Sequence, residues 1–120
     1  LQHYPNYTPD GTLIVSTHLF GDSKQQRAFE YAVDDSSETL VELWSYGEGV
    51  DAFAEQQGEA VRLANGNTLI NYGTQGHMRE VTLAGEVAWD AALGENYMLG
   101  HTSLVEDLYA INRGADGVRR

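Results

Sequence analysis

Ala64-Asn65-Gly66-Asn67-Thr68-Leu69-Ile70-Asn71 decides the fold, because the chain carries a near copy of it upstream, Pro9-Asp10-Gly11-Thr12-Leu13-Ile14-Val15. Both stretches begin with a turn dipeptide, Asn65-Gly66 or Asp10-Gly11, whose Gly supplies the backbone freedom that a tight turn demands. Both then run into residues with the composition of a strand. Working outward, Phe29-Glu30-Tyr31 matches Arg79-Glu80-Val81, and Val41-Glu42-Leu43-Trp44 matches Glu86-Val87-Ala88-Trp89. Each copy reads turn, strand, strand, turn, strand ending in Trp. Leu13 and Leu69 are 56 residues apart, and Trp44 and Trp89 are 45 apart. The first copy therefore holds 11 more residues between its Leu and its Trp, placed in two loops.

Around this repeat, the stretches Thr12–Ser16, Ala28–Val33, Thr39–Tyr46, Asn67–Tyr72, Met78–Leu83 and Glu86–Asp90 read as strands bounded by Gly, Asp, Asn or Ser. Phe29, Tyr31 and Val33 share one face, and Val87 and Trp89 oppose Glu86, Ala88 and Asp90. Ala84-Gly85 joins two strands as a hairpin turn. Helix is expected only at Ala52–Ala60 and Leu104–Ile111.

A repeat of roughly 40–50 residues with three or four strands per unit is the signature of propeller blades. The expected fold is all-β. Residues 1–120 form one propeller segment, with a first blade-like repeat at 1–50, a second at 58–95, and a closing segment and tail at 96–120. One blade cannot cover its own faces and must stack on neighbours. About two blades and part of a third fall short of the roughly four to eight that close a ring. The chain is thus expected to be a fragment of a longer protein, or a subunit in a homo-oligomeric ring of about six blades. The competing reading is a small antiparallel sandwich.

Composition narrows the function. Of 120 residues, 42% are hydrophobic and 21% charged, which suits a globular domain and not a disordered chain. Seven basic residues against 18 acidic ones give a net charge of −11. Such a chain repels phosphate backbones and anionic bilayers, so neither nucleic acid nor membrane is an expected partner. No apolar run approaches the roughly 20 residues of a spanning helix. No signal peptide is visible, and Leu1 is not an initiator methionine, which leaves room for sequence upstream. Without cysteine there is no disulfide, thiolate ligand or thiol nucleophile. The histidines at 3, 18, 77 and 101 have no zinc-site spacing, and no calcium-loop pattern occurs. No metal or cofactor is expected. Asn6-Tyr7-Thr8 is a formal glycosylation sequon, and neither a phosphate loop nor a Gly-x-Ser-x-Gly elbow is present.

Several motifs, in order, resemble the C-terminal part of the arylsulfotransferase family, which are six-bladed propellers. They are Gln2-His3 followed by Pro9-Asp10-Gly11-Thr12; Gln26-Arg27-Ala28-Phe29-Glu30-Tyr31; Leu43-Trp44-Ser45-Tyr46-Gly47; Gly58 followed by Arg62-Leu63-Ala64-Asn65-Gly66-Asn67-Thr68-Leu69; and Gly85-Glu86-Val87-Ala88-Trp89. The resemblance runs from Leu1 to about Tyr109. It implies sulfuryl transfer from a phenolic sulfate donor to a phenol acceptor through a sulfated histidine, and a periplasmic or secreted location. It places His77 at the nucleophile, with His3 and Arg27 as catalytic partners around the sulfate. The family's closing Tyr-Arg-Ala-x-Arg-Ile-x-x-Leu-Tyr stands here as Gly100-His101-Thr102-Ser103-Leu104-Val105-Glu106-Asp107-Leu108-Tyr109. Both of its arginines are replaced, and His101 is the candidate cation for substrate binding in their stead.

The chemistry suits those residue types. A neutral imidazole attacks sulfur, a second histidine protonates the leaving oxygen, and a guanidinium fork holds a tetrahedral oxyanion. Each residue also has a plainer reading. His77 would be a turn histidine beside Gly76, His3 part of a frayed tail, and Arg27 an ion-pair partner for an acid. His18 is expected on a loop surface, and Trp44 and Trp89 as packing residues. Beside the enzyme stands a non-catalytic propeller module for binding or self-assembly into a ring or fibre.

Overall fold

A computed structural model describes residues 2–21, 24–94 and 96–105. It is all-β. The strands are β1 (Gln2–Tyr7), β2 (Leu13–Leu19), β3 (Gln25–Asp34), β4 (Thr39–Tyr46), β5 (Glu59–Arg62), β6 (Thr68–Tyr72), β7 (His77–Val81) and β8 (Val87–Ala92). They form two four-stranded antiparallel sheets, β1-β2-β3-β4 and β5-β6-β7-β8, each a meander of sequential neighbours. One 3-10 turn, Gly73–Gln75, separates β6 from β7.

The two sheets share a turn with the same hydrogen bonds. In the first turn Thr8 N–H donates to Thr12 O at 2.8 Å and Gly11 N–H to Thr8 O at 3.0 Å. Leu63 with Asn67 and Gly66 with Leu63 make the same two bonds at 2.8 and 3.0 Å. The turn is built a third time between β7 and β8, from Thr82, Gly85 and Glu86. Gly11, Gly66 and Gly85 all take left-handed φ, at 81°, 86° and 83°, where a Cβ would be strained. The ladders also share an irregularity. The β3–β4 register shifts after Glu30, and the β7–β8 register shifts after Glu80. Glu30 pairs with Trp44, and Glu80 with Trp89. Ile14 faces Glu30 and Leu69 faces Glu80, so the counterpart of Leu69 is Ile14. This moves the sequence match of Leu13 with Leu69 by one residue.

The sheets pack face to face. Ile14 and Ala28 of the first meet Ala60, Ile70, Tyr72 and Val81 of the second, with Ala52 from the connecting segment, and Trp44, Tyr46 and Val50 close the margin. Burying aliphatic side chains of this size is worth roughly 1.5–3 kcal/mol each. Polar groups lock the same joint. Arg62 pairs with Glu30, and its guanidinium lies over the Trp44 ring, 4.8 Å from the centroid. Trp44 Nε1–H donates to Leu83 O at 3.0 Å. At one edge, Asn6 Nδ2 of β1 donates to Ala60 O of β5 at 3.1 Å. Among the described residues the sheets do not close into a ring.

Three expectations change. Residues 52–58 are irregular and Glu59 begins β5, so the helix expected at Ala52–Ala60 is absent. Gln57 at φ 62° and Gly58 at φ 144° break helical geometry there, and Ala52 and Ala54 are buried by tertiary packing. Of the helix expected at Leu104–Ile111, Leu104 and Val105 have no regular structure and the remainder lies outside the described residues. His18 is not on a loop surface. It sits in β2 with 1% exposure. Strands β1 and β5 lie outside every stretch that reads as a strand from the sequence.

Candidate functional site

The edge strands β1 and β5 border a cavity of about 260 Å³, lined by His3, Tyr4, Gln57, Gly58, Glu59, Gly100 and His101. The local sequence explains its shape. Between His3 and Asn6, β1 spends one residue more than β2 does, and Tyr4 takes a left-handed φ of 48°. Such a bulge re-aims side chains. Here it sets the Tyr4 ring 4.7 Å from that of His101, at 47°. On the other wall, Gly58 lies so close to β2 and β3 that a Cβ would come within 2.7 Å of His18 Nε2 and 2.9 Å of Gln26 Nε2. Gly is the residue that lets this backbone pass.

Glu59 is the centre of the polar network. Its carboxylate, with a side chain only 7% exposed, accepts from His101 Nδ1–H at 2.6 Å and from Thr102 N–H at 2.7 Å. A buried carboxylate needs such donors to offset its lost hydration. The bond places a proton on Nδ1 of His101 and turns its Nε2 away from Glu59. Tyr4 Oη lies 3.4 Å from that Nε2. His3 stacks on His18 at 4.5 Å between ring centroids. Burial and then the nearby charge of His3 push His18 down to about 4, against a weaker opposing hydrogen bond with the Gln57 backbone. His18 is therefore neutral at physiological pH and supports the wall of the site.

The four candidates from sequence separate into three places. His3 and His101 line the same cavity. Arg27 does not; it pairs with Glu48 at 3.3 Å and covers the Phe29 ring at 4.8 Å. His77 opens β7, stacks on Tyr72 at 5.2 Å and meets Asp90 Oδ1 through Nε2 at 2.7 Å. Arg79 Nε holds the other oxygen of Asp90 at 2.6 Å. His77 and then Arg79 keep the Asp90 carboxyl below its usual range. Arg27 pairs with Thr17 and His77 with Tyr72, so the two stand at equivalent positions of the two sheets. Sequence reasoning missed Glu59, Tyr4 and the burial of His18. Glu59 and His101 are 42 residues apart, and no short-range pattern links them.

Among the described residues no group of His, Asp and Glu could hold a metal ion, and no helix is long and apolar enough to cross a membrane. The chain matches no protein-family model, no curated protein and no solved structure.

Proposed function

We propose that this chain is a pair of stacked propeller-type blades and that it transfers a sulfuryl group between phenols at the β1/β5 end, with His101 as the reacting base. The observation that carries the reading is the His101–Glu59 bond of 2.6 Å on the wall of a cavity shared with His3. A carboxylate that orients an imidazole is the standard means of activating it. In this reading His101 Nε2 attacks the sulfur of an aryl sulfate as the S–O bond to the aryl group breaks. The leaving phenolate takes a proton from protonated His3, and Glu59 balances the charge gained by His101. The acceptor phenol then returns its proton to His3 as its oxygen takes the sulfuryl group. Tyr4 supplies an aromatic wall for the rings. His77, whose Nε2 is engaged by Asp90, is placed outside this cycle, and so is Arg27. The blade reading is supported by the path of residues 47–58, which run from the outer strand β4 back to β5 beside β1.

The test is turnover of 4-nitrophenyl sulfate with phenol as acceptor by the full chain. His101→Gln should lower the rate at least about 100-fold, and a quenched reaction should yield a sulfated peptide containing His101. Equal rates for the two proteins reject the catalytic reading. A second reading, a non-catalytic module for assembly, is favoured by one observation: Trp89, the counterpart of Trp44, is 47% exposed.

A further inference from the structure

The joint between the sheets uses one face of each. The first sheet contributes Glu30 and Trp44, and the second contributes Arg62 from β5. Because the sheets repeat, the second sheet carries the first half of that joint again on its outward face. Glu80 stands where Glu30 does, and Trp89 where Trp44 does. Even the support is copied. Thr12 Oγ1–H donates to Glu30 Oε1 at 2.5 Å, and its counterpart Asn67 donates to Glu80 Oε1 at 2.6 Å. Asn65 adds a second bond at 3.0 Å. What differs is the other oxygen. Arg62 takes Glu30 Oε2, whereas among the described residues no cation pairs with Glu80. The first sheet in turn carries the second half of the joint on its own outward face. Arg62 pairs with Thr68 and Tyr7 with Leu13, at equivalent rungs, so Tyr7 occupies the Arg62 position. Tyr7 is 69% exposed. Near it the same face carries Phe29 and Tyr31, stacked at 5.9 Å.

We propose that the outward face of the β5–β8 sheet docks the outward face of the β1–β4 sheet of a second copy of this chain, with Tyr7 of that copy over Trp89 and Glu80. A tyrosine can do both tasks that Arg62 performs at the internal joint. Its ring stacks on the indole, and its O–H donates to the carboxylate oxygen left open. The contact is head-to-tail, so it leaves a further free face on each copy and builds a ring or a row of sheets. It deepens the assembly reading and is independent of the catalytic one. With a net charge of −11 on each copy, association should strengthen as salt screens the mutual repulsion.

Light scattering and sedimentation of the full chain test this. The wild type should associate. Trp89→Ala and Tyr7→Ala, both at exposed positions whose loss leaves the circular dichroism of the monomer unchanged, should each weaken association at least about tenfold. An equimolar mixture of the two variants should form dimers, because the Tyr7 face of one and the Trp89 face of the other are both intact. A wild type that stays monomeric at about 100 µM overturns the proposal. So does a Tyr7→Ala variant that associates like the wild type, which would mean that Trp89 faces meet each other. A mixture that stays monomeric overturns it as well.

Discussion

The β1–β4 and β5–β8 sheets share turns, bulges and strand order, yet they differ at nearly every position where chemistry happens. The three turns that place Gly11, Gly66 and Gly85 at matching left-handed φ, and the paired bulges after Glu30 and Glu80, are the framework. On it, Arg27 in one sheet answers to His77 in the other, and Tyr7 to Arg62. The lesson is that the two sheets share backbone irregularities while most side chains placed on them differ. Glu30 and Glu80 kept the residue and changed the environment: one is covered by a neighbouring sheet, the other is not.

That contrast can be broken most strongly at the covered carboxylate. Removing Glu30 strands Arg62, whose side chain is 8% exposed, and an abandoned buried charge costs about 3–5 kcal/mol. Urea denaturation of Glu30→Ala, at a protein concentration low enough to keep the chain monomeric, should show a loss of that size, while Glu80→Ala should leave the midpoint nearly unchanged. Equal losses in the monomer would mean that the joint covers Glu30 no more than Glu80.

A smaller effect separates the sheets by pH. His18 follows Thr17 in β2, whereas Gly73 follows Tyr72 after β6, so only the first sheet has a titratable group there. Unfolded histidine takes up its proton near pH 6.5, but buried His18 resists until about 4. The unfolded state therefore binds more protons in this window, and stability must fall as pH drops from about 6.5 toward 4. The slope is at most about 1.4 kcal/mol per pH unit. His18→Gln should flatten that part of the stability–pH curve. An unchanged slope would assign the effect to another group.

The smallest effect sharpens the likeness between the sheets. Gly11→Ala and Gly66→Ala meet open space, so only the left-handed φ opposes them. Each should cost about 1 kcal/mol, and thermal unfolding should show the two losses to be alike. A loss at one position alone would mean that the turns are not equivalent.

Much of the framework was legible because turn dipeptides and aliphatic runs are local signals. Asp10-Gly11, Asn65-Gly66 and Ala84-Gly85 all mark turns, and the strands after them were placed within a few residues. The edge strands β1 and β5 were not legible. Gln2–Tyr7 is polar and contains Pro5, and Glu59–Arg62 is four residues long behind a stretch of Ala, Gln and Glu that favours helix. Their pairing comes from the sheets they complete, not from their own propensity. The site suffered most from this gap. His3 is singled out by motif, but Tyr4 and Glu59, which line the same cavity, lie on the two strands that the sequence does not announce. The equivalence of Arg27 and His77 was hidden because Arg27 stands 10 residues after its partner Thr17, whereas His77 stands 5 after its partner Tyr72.

The meander order of each sheet also sets the tempo of folding. Every ladder joins strands adjacent in the chain, so each sheet can zip through hairpins that close in about 1–10 µs. Distant residues are united at the joint, Glu30 with Arg62 and Trp44 with Leu83, and at the corner where His101 meets Glu59. Docking should then be the late event, and loss of Glu30 should show in a chevron as faster unfolding with the refolding arm almost unmoved. The molecule would open first along the seam between its two sheets, each still paired within itself.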